Sequence, residues 1–290
     1  MIMKAKVDYA NNGNVRMDAG FHFKNKVNSN NLYFLIVACF ALLVVFSGCK
    51  KDNNDEDETI IIMTTAREGE VTIYMAGSGT VTIDWGDGTE IKTHILSSDS
   101  YYFFHTYSNS HFRTITIIGK NITYLNCSGN QLTSLDVSKN TKMTHLECQY
   151  NKLTSLNVSG AITLTHLFCW NNELKSLDVS KNTELINFWC HNNQLTSLDV
   201  SKNPKLLASM CNNNQLASLD LSKNTALAVL YCNNNRLDAD ALNALFGTLH
   251  SKPPPQGFYF KNINIGNNPG TNDPELNTSI ATAKGWVVYY

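Results

Sequence analysis

The chain has 290 residues, 43% of them hydrophobic, which is enough to bury the core of one or two folded domains and too apolar for a chain that stays unfolded. Its formal charge is −1, and because the first 48 residues hold five basic and two acidic side chains, the remainder carries 18 basic against 22 acidic. In that remainder Lys139, Lys181, Lys202 and Lys223 alternate with Asp136, Asp178, Asp199 and Asp220, so no basic stripe forms and nucleic acid is excluded as the expected partner.

The first feature along the chain is LYFLIVACFALLVVF, Leu32 to Phe46, preceded by Lys24 and Lys26 and followed by Ser47, Gly48 and Cys49. The run falls short of the roughly 20 residues a membrane-crossing helix needs, and its flanks are those of a secretory signal, so residues 1–48 are expected to be removed. A signal starting at Met17 has a more ordinary length, which on this reading leaves residues 1–16 untranslated. The ending VFSGC resembles the cleavage box of bacterial lipoproteins. That resemblance implies that Cys49 becomes the lipidated first residue and that Cys39 is discarded; an ordinary secreted protein is the alternative. Residues 49–58 continue as KKDNNDEDE after the cysteine, a charged tether with nothing apolar to bury. Acidic stretches in this place resemble the surface-export signal of lipoproteins in gut-type anaerobic Gram-negative bacteria. An outer-membrane lipoprotein, exposed at the surface and held to the membrane through Cys49, is the localisation this implies.

Residues 59–120 contain short β-rich runs separated by turn signals: VTIYMAG, TVTIDWGDGTE, YYFFHTY and FRTITIIG. Asp87-Gly88 suits a tight hairpin turn. Asp84 and Asp87 also offer two carboxylates to a calcium ion, although carboxylates beside a glycine turn more commonly form the turn itself. IDWGDGTE followed by FFHTY resembles the polycystic kidney disease (PKD) repeat, which implies a small immunoglobulin-like β-sandwich. Its last strand ends within four residues of Ile122, so the sandwich is expected to cap the segment that begins there.

From residue 121 to 235 the chain repeats every 21 residues. Cys127, Cys148, Cys169, Cys190, Cys211 and Cys232 form one column, Asn130, Asn151, Asn172, Asn193, Asn214 and Asn235 another, and Leu132, Leu153, Leu174, Leu195, Leu216 and Leu237 a third. In MTHLECQYNKL, Met143 to Leu153, the apolar Leu146 and Cys148 alternate with His145, Glu147 and Gln149, which predicts a strand with one face in the core and one face open. The spacing L-x-x-L-x-L/C-x-x-N-x-L resembles the leucine-rich repeat family and implies a solenoid of stacked strands. An asparagine at a turn both donates and accepts, and so serves backbone groups where each strand ends. The second half of each repeat, LTSLDVSKN, alternates too and predicts a short extended segment on the back. The cysteine column admits three readings: buried free thiols, disulfides, or a metal cluster. Parallel strands hold neighbouring Cβ atoms about 4.8 Å apart, too far for an unstrained disulfide, and a line of thiols is not a tetrahedron, so buried thiols are favoured.

Residues 236–290 read as a closing cap. RLDADALNALFGTLH has helical spacing with Asp238 or Asp240 as N-cap, Ile263, Ile265 and Asn268 resume the repeat register, a second helix is expected over about 274–283, and Trp286 to Tyr290 form a last strand. The fold class expected is therefore mainly β: a short immunoglobulin/PKD-like sandwich, a leucine-rich repeat solenoid and a helical C-terminal cap.

No nucleophile, base or metal set points to catalysis, so no enzyme, cofactor or metal is expected. His145 and His166 share an open-face slot in consecutive repeats, but only two imidazoles converge, and solvated polar residues are the favoured reading. The open, concave face carries the candidate site. Its middle column reads Asn126, Glu147, Phe168, Trp189, Met210, Tyr231, Asn264, and the neighbouring column adds Trp170 and His191. Aromatic stacking along the sheet would explain this column without a ligand; an apolar patch that binds one is the other reading. Leucine-rich repeat resemblance implies protein–protein interaction or adhesion by a monomer, with Phe168, Trp170, Trp189, His191, Met210 and Tyr231 in contact. A glycan-binding accessory lipoprotein, with rings stacked on sugars, and a structural surface protein without a ligand are the alternatives.

Overall fold

The computed structural model describes residues 58–290. The signal segment with residues 1–16 and Met17, the anchor residue Cys49 and the tether up to residue 57 lie outside the described residues. Among the described residues no helix is long and apolar enough to cross a membrane.

Period-two alternation builds the first six strands. In one sheet β1 (Thr59–Thr65), β6 (Arg113–Gly119), β3 (Gly79–Asp84) and β4 (Lys92–Leu96) pair antiparallel in that order, and in a second sheet β2 (Gly69–Gly77) pairs antiparallel with β5 (Tyr101–Tyr107). Alternate side chains, Ile61 and Met63, Val71 and Ile73, Val81 and Ile83, Ile115 and Ile117, are buried and belong to one continuous core. Two of these strands, TIIIMTT (β1) and KTHIL (β4), were not among the segments read as strands from the sequence. The connection at Asp87-Gly88 is not a tight hairpin either, because β3 ends at Asp84 and β4 begins at Lys92. Instead, the Asp84 carboxylate accepts from Gly86 N at 2.8 Å and Asp87 from Thr89 N at 3.1 Å, while Gly86 and Gly88 take φ of 75° and 83°. Gly86 has a second constraint: a Cβ there would lie 2.2 Å from Thr114 O.

Neither sheet stops where the repeats begin. β2 pairs antiparallel with β7 (Ile122–Asn126), and β1 pairs antiparallel with β8 (Leu132–Asp136). From β7 the second sheet continues through parallel strands β9 (His145–Glu147), β11 (His166–Phe168), β12 (Asn187–Trp189), β13 (Ala208–Met210), β14 (Val229–Tyr231), β15 (Lys261–Asn264) and β16 (Trp286–Tyr289), ten strands in all with β5 at one edge. On the other side only β8 and β10 (Leu156–Asn157) form strands; the later LTSLDVS segments turn without ladder pairing. What shapes these back segments is turn chemistry: Asp136, Asp178, Asp199 and Asp220 each accept the backbone N–H two residues on, at 2.8 Å.

Registers pair residues 21 apart, as His145 with His166 and Leu146 with Leu167. One strand cannot bury its inward side alone, but stacked strands share a core in which Leu146, Leu167, Phe188 and Leu230 and all six repeat cysteines are fully buried. The asparagine column closes each turn. Asn193 donates through Nδ2 to Cys169 O and Cys190 O, both at 3.1 Å, and accepts from Leu174 N at 3.0 Å; Asn172 and Asn214 repeat the pattern. At the start of the ladder Asn130 turns to β2 instead, donating to Thr72 O at 2.7 Å and accepting from Thr72 N at 3.0 Å.

At the C-terminal end helix α1 (Ala239–Thr248) starts on Asp238, whose carboxylate accepts from Ala241 N. It buries Leu242, Leu245 and Phe246 over the last repeat core. The second helix is shorter than expected: Pro269–Asn272 forms a 3-10 turn and α2 spans Ser279–Thr282 only. Asn268 takes the ladder position, donating to Cys232 O and Ile265 O.

Candidate functional site

Residues directly opposite in a ladder share a face of the sheet, so the strand registers define rows across it. One row runs Tyr102, Tyr74, Asn126, Glu147, Phe168 and Trp189 from β5 to β12. It continues through Met210, Tyr231, Asn264 and Tyr289 to β16. With the strands about 4.8 Å apart, the row is about 43 Å long.

Four of the six residues chosen from the sequence, Phe168, Trp189, Met210 and Tyr231, are consecutive in this row. Trp170 and His191 lie on the same face beside it. Their rings are stacked: Phe168 on Trp189 at 4.3 Å between centroids and 27°, and Trp170 on His191 at 4.9 Å and 12°. Stacking leaves five of the six half-buried; only Tyr231 reaches 36% exposure. Two polar atoms there are enclosed without a partner, the indole Nε1 of Trp189 and Nδ1 of His191. Burial holds the His166 and His191 imidazoles below their usual range, with His145 beside His166 adding to the effect, so both are neutral at pH 7.

The sequence reading missed the more open half of the face. Tyr74, Tyr102 and Phe104 are 42%, 50% and 57% exposed, with Tyr74–Tyr102 and Tyr102–Phe104 centroids both 6.1 Å apart. The alternation in VTIYMAG and YYFFHTY marks them as outward, but nothing local says that they join the repeat row. Tyr150 was missed too. At the slot before each ladder asparagine the backbone is left-handed, and Asn171, Asn192, Asn213 and Asn234 (φ 52–55°) suit it, as does Gly129. Tyr150 holds φ 56° in that slot, 57% exposed, its ring edge-on to Trp170 at 4.3 Å.

Between the two aromatic groups stands Glu147. Its carboxylate accepts from Tyr124 OH at 3.2 Å and from Asn126 Nδ2 at 3.0 Å, with Gln149 Nε2 at 3.4 Å. Burial raises the Tyr124 phenol above its ordinary range, which keeps it a donor. In the two columns running from Tyr124 and Asn126 to Val287 and Tyr289, Glu147 is the only Asp, Glu, Lys or Arg.

His145 and His166 stack at 4.2 Å and 9°. The Thr144 hydroxyl donates to Thr123 O at 3.0 Å and therefore accepts from His145 Nδ1 at 2.9 Å; Thr165 does the same between Thr144 O and His166. Among the described residues no group of three or more His, Cys, Asp or Glu side chains is placed to hold a metal. Asp84 and Asp87 serve their turn, Asp87 also pairing with His105 at 2.7 Å. Desolvation would raise the Asp87 carboxyl, but bonds from Thr89 and His105 together outweigh it and bring it to about 2. The six repeat cysteines are free and buried, and burial pushes Cys127, Cys169 and Cys211 up to about 12.

No family model and no curated protein matches the sequence. Among solved structures the chain is similar to an internalin, InlF, from Listeria monocytogenes, at 17% identity and a TM-score of 0.44 over 58% of this chain and 46% of that one. It is also similar to the functional domain of InlJ from Listeria monocytogenes, which includes a cysteine ladder, at 24% identity and a TM-score of 0.30 over 60% and 50%. A leucine-rich repeat protein of Leptospira interrogans gives 20% identity and a TM-score of 0.47 over 59% and 49%. The chain spans about half the length of each of these structures. Its own geometry is that of a solenoid, with parallel strands in register and the Leu, Cys and Asn columns inside.

Proposed function

We propose that this chain is a non-enzymatic binding protein of the cell surface that holds an extracellular protein on the open face of its repeats. The observation that carries this reading is the row Phe168, Trp189, Met210, Tyr231: large side chains in four successive strands of a face that a merely solvated sheet would fill with Thr, Ser or charge. Leucine-rich repeat architecture alone would only suggest the role. A lipid on Cys49, expected from VFSGC, would hold the domain at the outer membrane with the acidic tether as spacer. The test is a combined array of extracellular proteins and soluble glycans probed with the purified chain. Retention of one or a few proteins is expected. Retention of glycans alone would replace this reading with the glycan-binding one, and retention of nothing would leave a structural surface protein.

A further inference from the structure

The row of open-face residues does not stop at the first repeat, and this changes what the face recognises. Tyr74 pairs with Asn126, and Asn126 with Glu147, so the rings of Tyr74 and Phe104 on the sandwich lie on the same face as Phe168 and Trp189. Glu147 stands two strands from Tyr74 on one side and two from Trp189 on the other, about 10 Å each way. Its carboxylate is held by Tyr124, Asn126 and, at 3.4 Å, Gln149, and retains room for one further donor, since a carboxylate offers about four lone-pair sites. The strain at Tyr150 falls in the same repeat. A bulky residue at φ 56°, where the other repeats use Asn or Gly, places an exposed ring three residues from Glu147.

We infer that the sandwich and the repeats form one binding face, and that its partner is an extended protein segment carrying a Lys or Arg flanked on both sides by apolar side chains. The cation pairs with Glu147, and the flanking groups cover Tyr74 and Phe104 on one side and Phe168 and Trp189 on the other. Along the row that joins the two aromatic groups Glu147 is the one charged side chain, with Glu70 four residues from Tyr74 at the edge of the same face, so the row selects one positive group rather than a basic tract. The distance from Tyr102 to Trp189, five strand spacings or about 24 Å, is that of about seven extended residues. This inference rests on the proposed protein-binding role and gives the partner its chemistry.

A random 12-residue peptide library displayed on phage, panned against the purified full chain, tests it. Recovered peptides are expected to carry one Lys or Arg between apolar residues. Binding of a recovered peptide should weaken about tenfold in Glu147→Gln, the loss of one charge-assisted hydrogen bond. It should weaken similarly in Tyr74→Ala, and it should fall with added salt for the parent but not for Glu147→Gln. Glu147→Gln is isosteric, and an unchanged melting temperature separates lost recognition from lost fold. Peptides without a basic residue, or a Glu147→Gln or Tyr74→Ala variant that binds as tightly as the parent, overturn the inference. If those variants bind normally while Trp189→Ala does not, the repeat face still binds protein and only this extension fails. If no peptide is recovered, both fail.

Discussion

Replacing Asn193 by Ala removes one rung of the asparagine ladder, and the structure sets the size of the effect. Cys169 O and Cys190 O each keep a second amide donor, from Asn172 and Asn214, so each loses one of two bonds, at about 1 kcal/mol net. Leu174 N keeps none: its only acceptor is Asn193 Oδ1, and a buried orphan N–H costs about 1–3 kcal/mol. The sum is about 3–5 kcal/mol, a large part of the 5–15 kcal/mol typical of a folded domain. Asn193→Asp keeps the acceptor but turns an oxygen toward two carbonyls, so it should cost at least as much. Urea unfolding followed by circular dichroism measures both, with Asn214→Ala as an internal repeat of the experiment. A loss below about 1 kcal/mol in Asn193→Ala and Asn214→Ala would refute the claim that the ladder closes the turns.

The remaining predictions use other parts of the molecule. Tyr150→Asn relieves a left-handed tyrosine, about 1–2 kcal/mol, against an edge contact with Trp170 of about 0.5–1.5 kcal/mol, so stability should stay level or rise; a drop beyond about 1 kcal/mol in thermal unfolding contradicts the strain argument. The six repeat thiols should ignore a thiol-reactive disulfide reagent in the native protein and react once it is denatured, because burial holds them protonated; rapid native labelling of any of them contradicts this. His166 and His191 titrate below their unfolded value, so the unfolded chain binds more protons below about pH 6.5 and stability should fall from there as pH drops toward the folded values. Melting at pH 7.5 and 5.5 checks the sign, and a His166→Asn, His191→Asn double variant should flatten the dependence.

Columns at a fixed period were legible because each repeat presents the same alternation to the same neighbours. Cys148 and Leu146 had to face inward together, and the register placing Phe168 beside Trp189 followed from the 21-residue spacing. The helix on Asp238 was legible for a local reason, a carboxylate ahead of an apolar period. What stayed hidden depends on partners distant in the chain. Nothing in TIIIMTT says that it pairs with both Arg113–Gly119 and Leu132–Asp136, and nothing in VTIYMAG sets Tyr74 opposite Asn126. The later back segments alternate like strands but do not pair, and Asp178 and Asp199 there close turns on Ser180 N and Ser201 N. Within the candidate site, residue types were readable, but their stacking, the fixed Glu147 carboxylate and the orphaned Trp189 N–H required coordinates.

The measurement that bears most directly on the binding role compares the parent chain with a Phe168→Ala, Trp189→Ala, Tyr231→Ala variant against a protein retained on the array, with melting and circular dichroism on both. A folded variant that no longer binds is the predicted result. A variant that still binds while melting many degrees lower would show that the aromatic row stabilises the sheet and that recognition lies elsewhere on the protein.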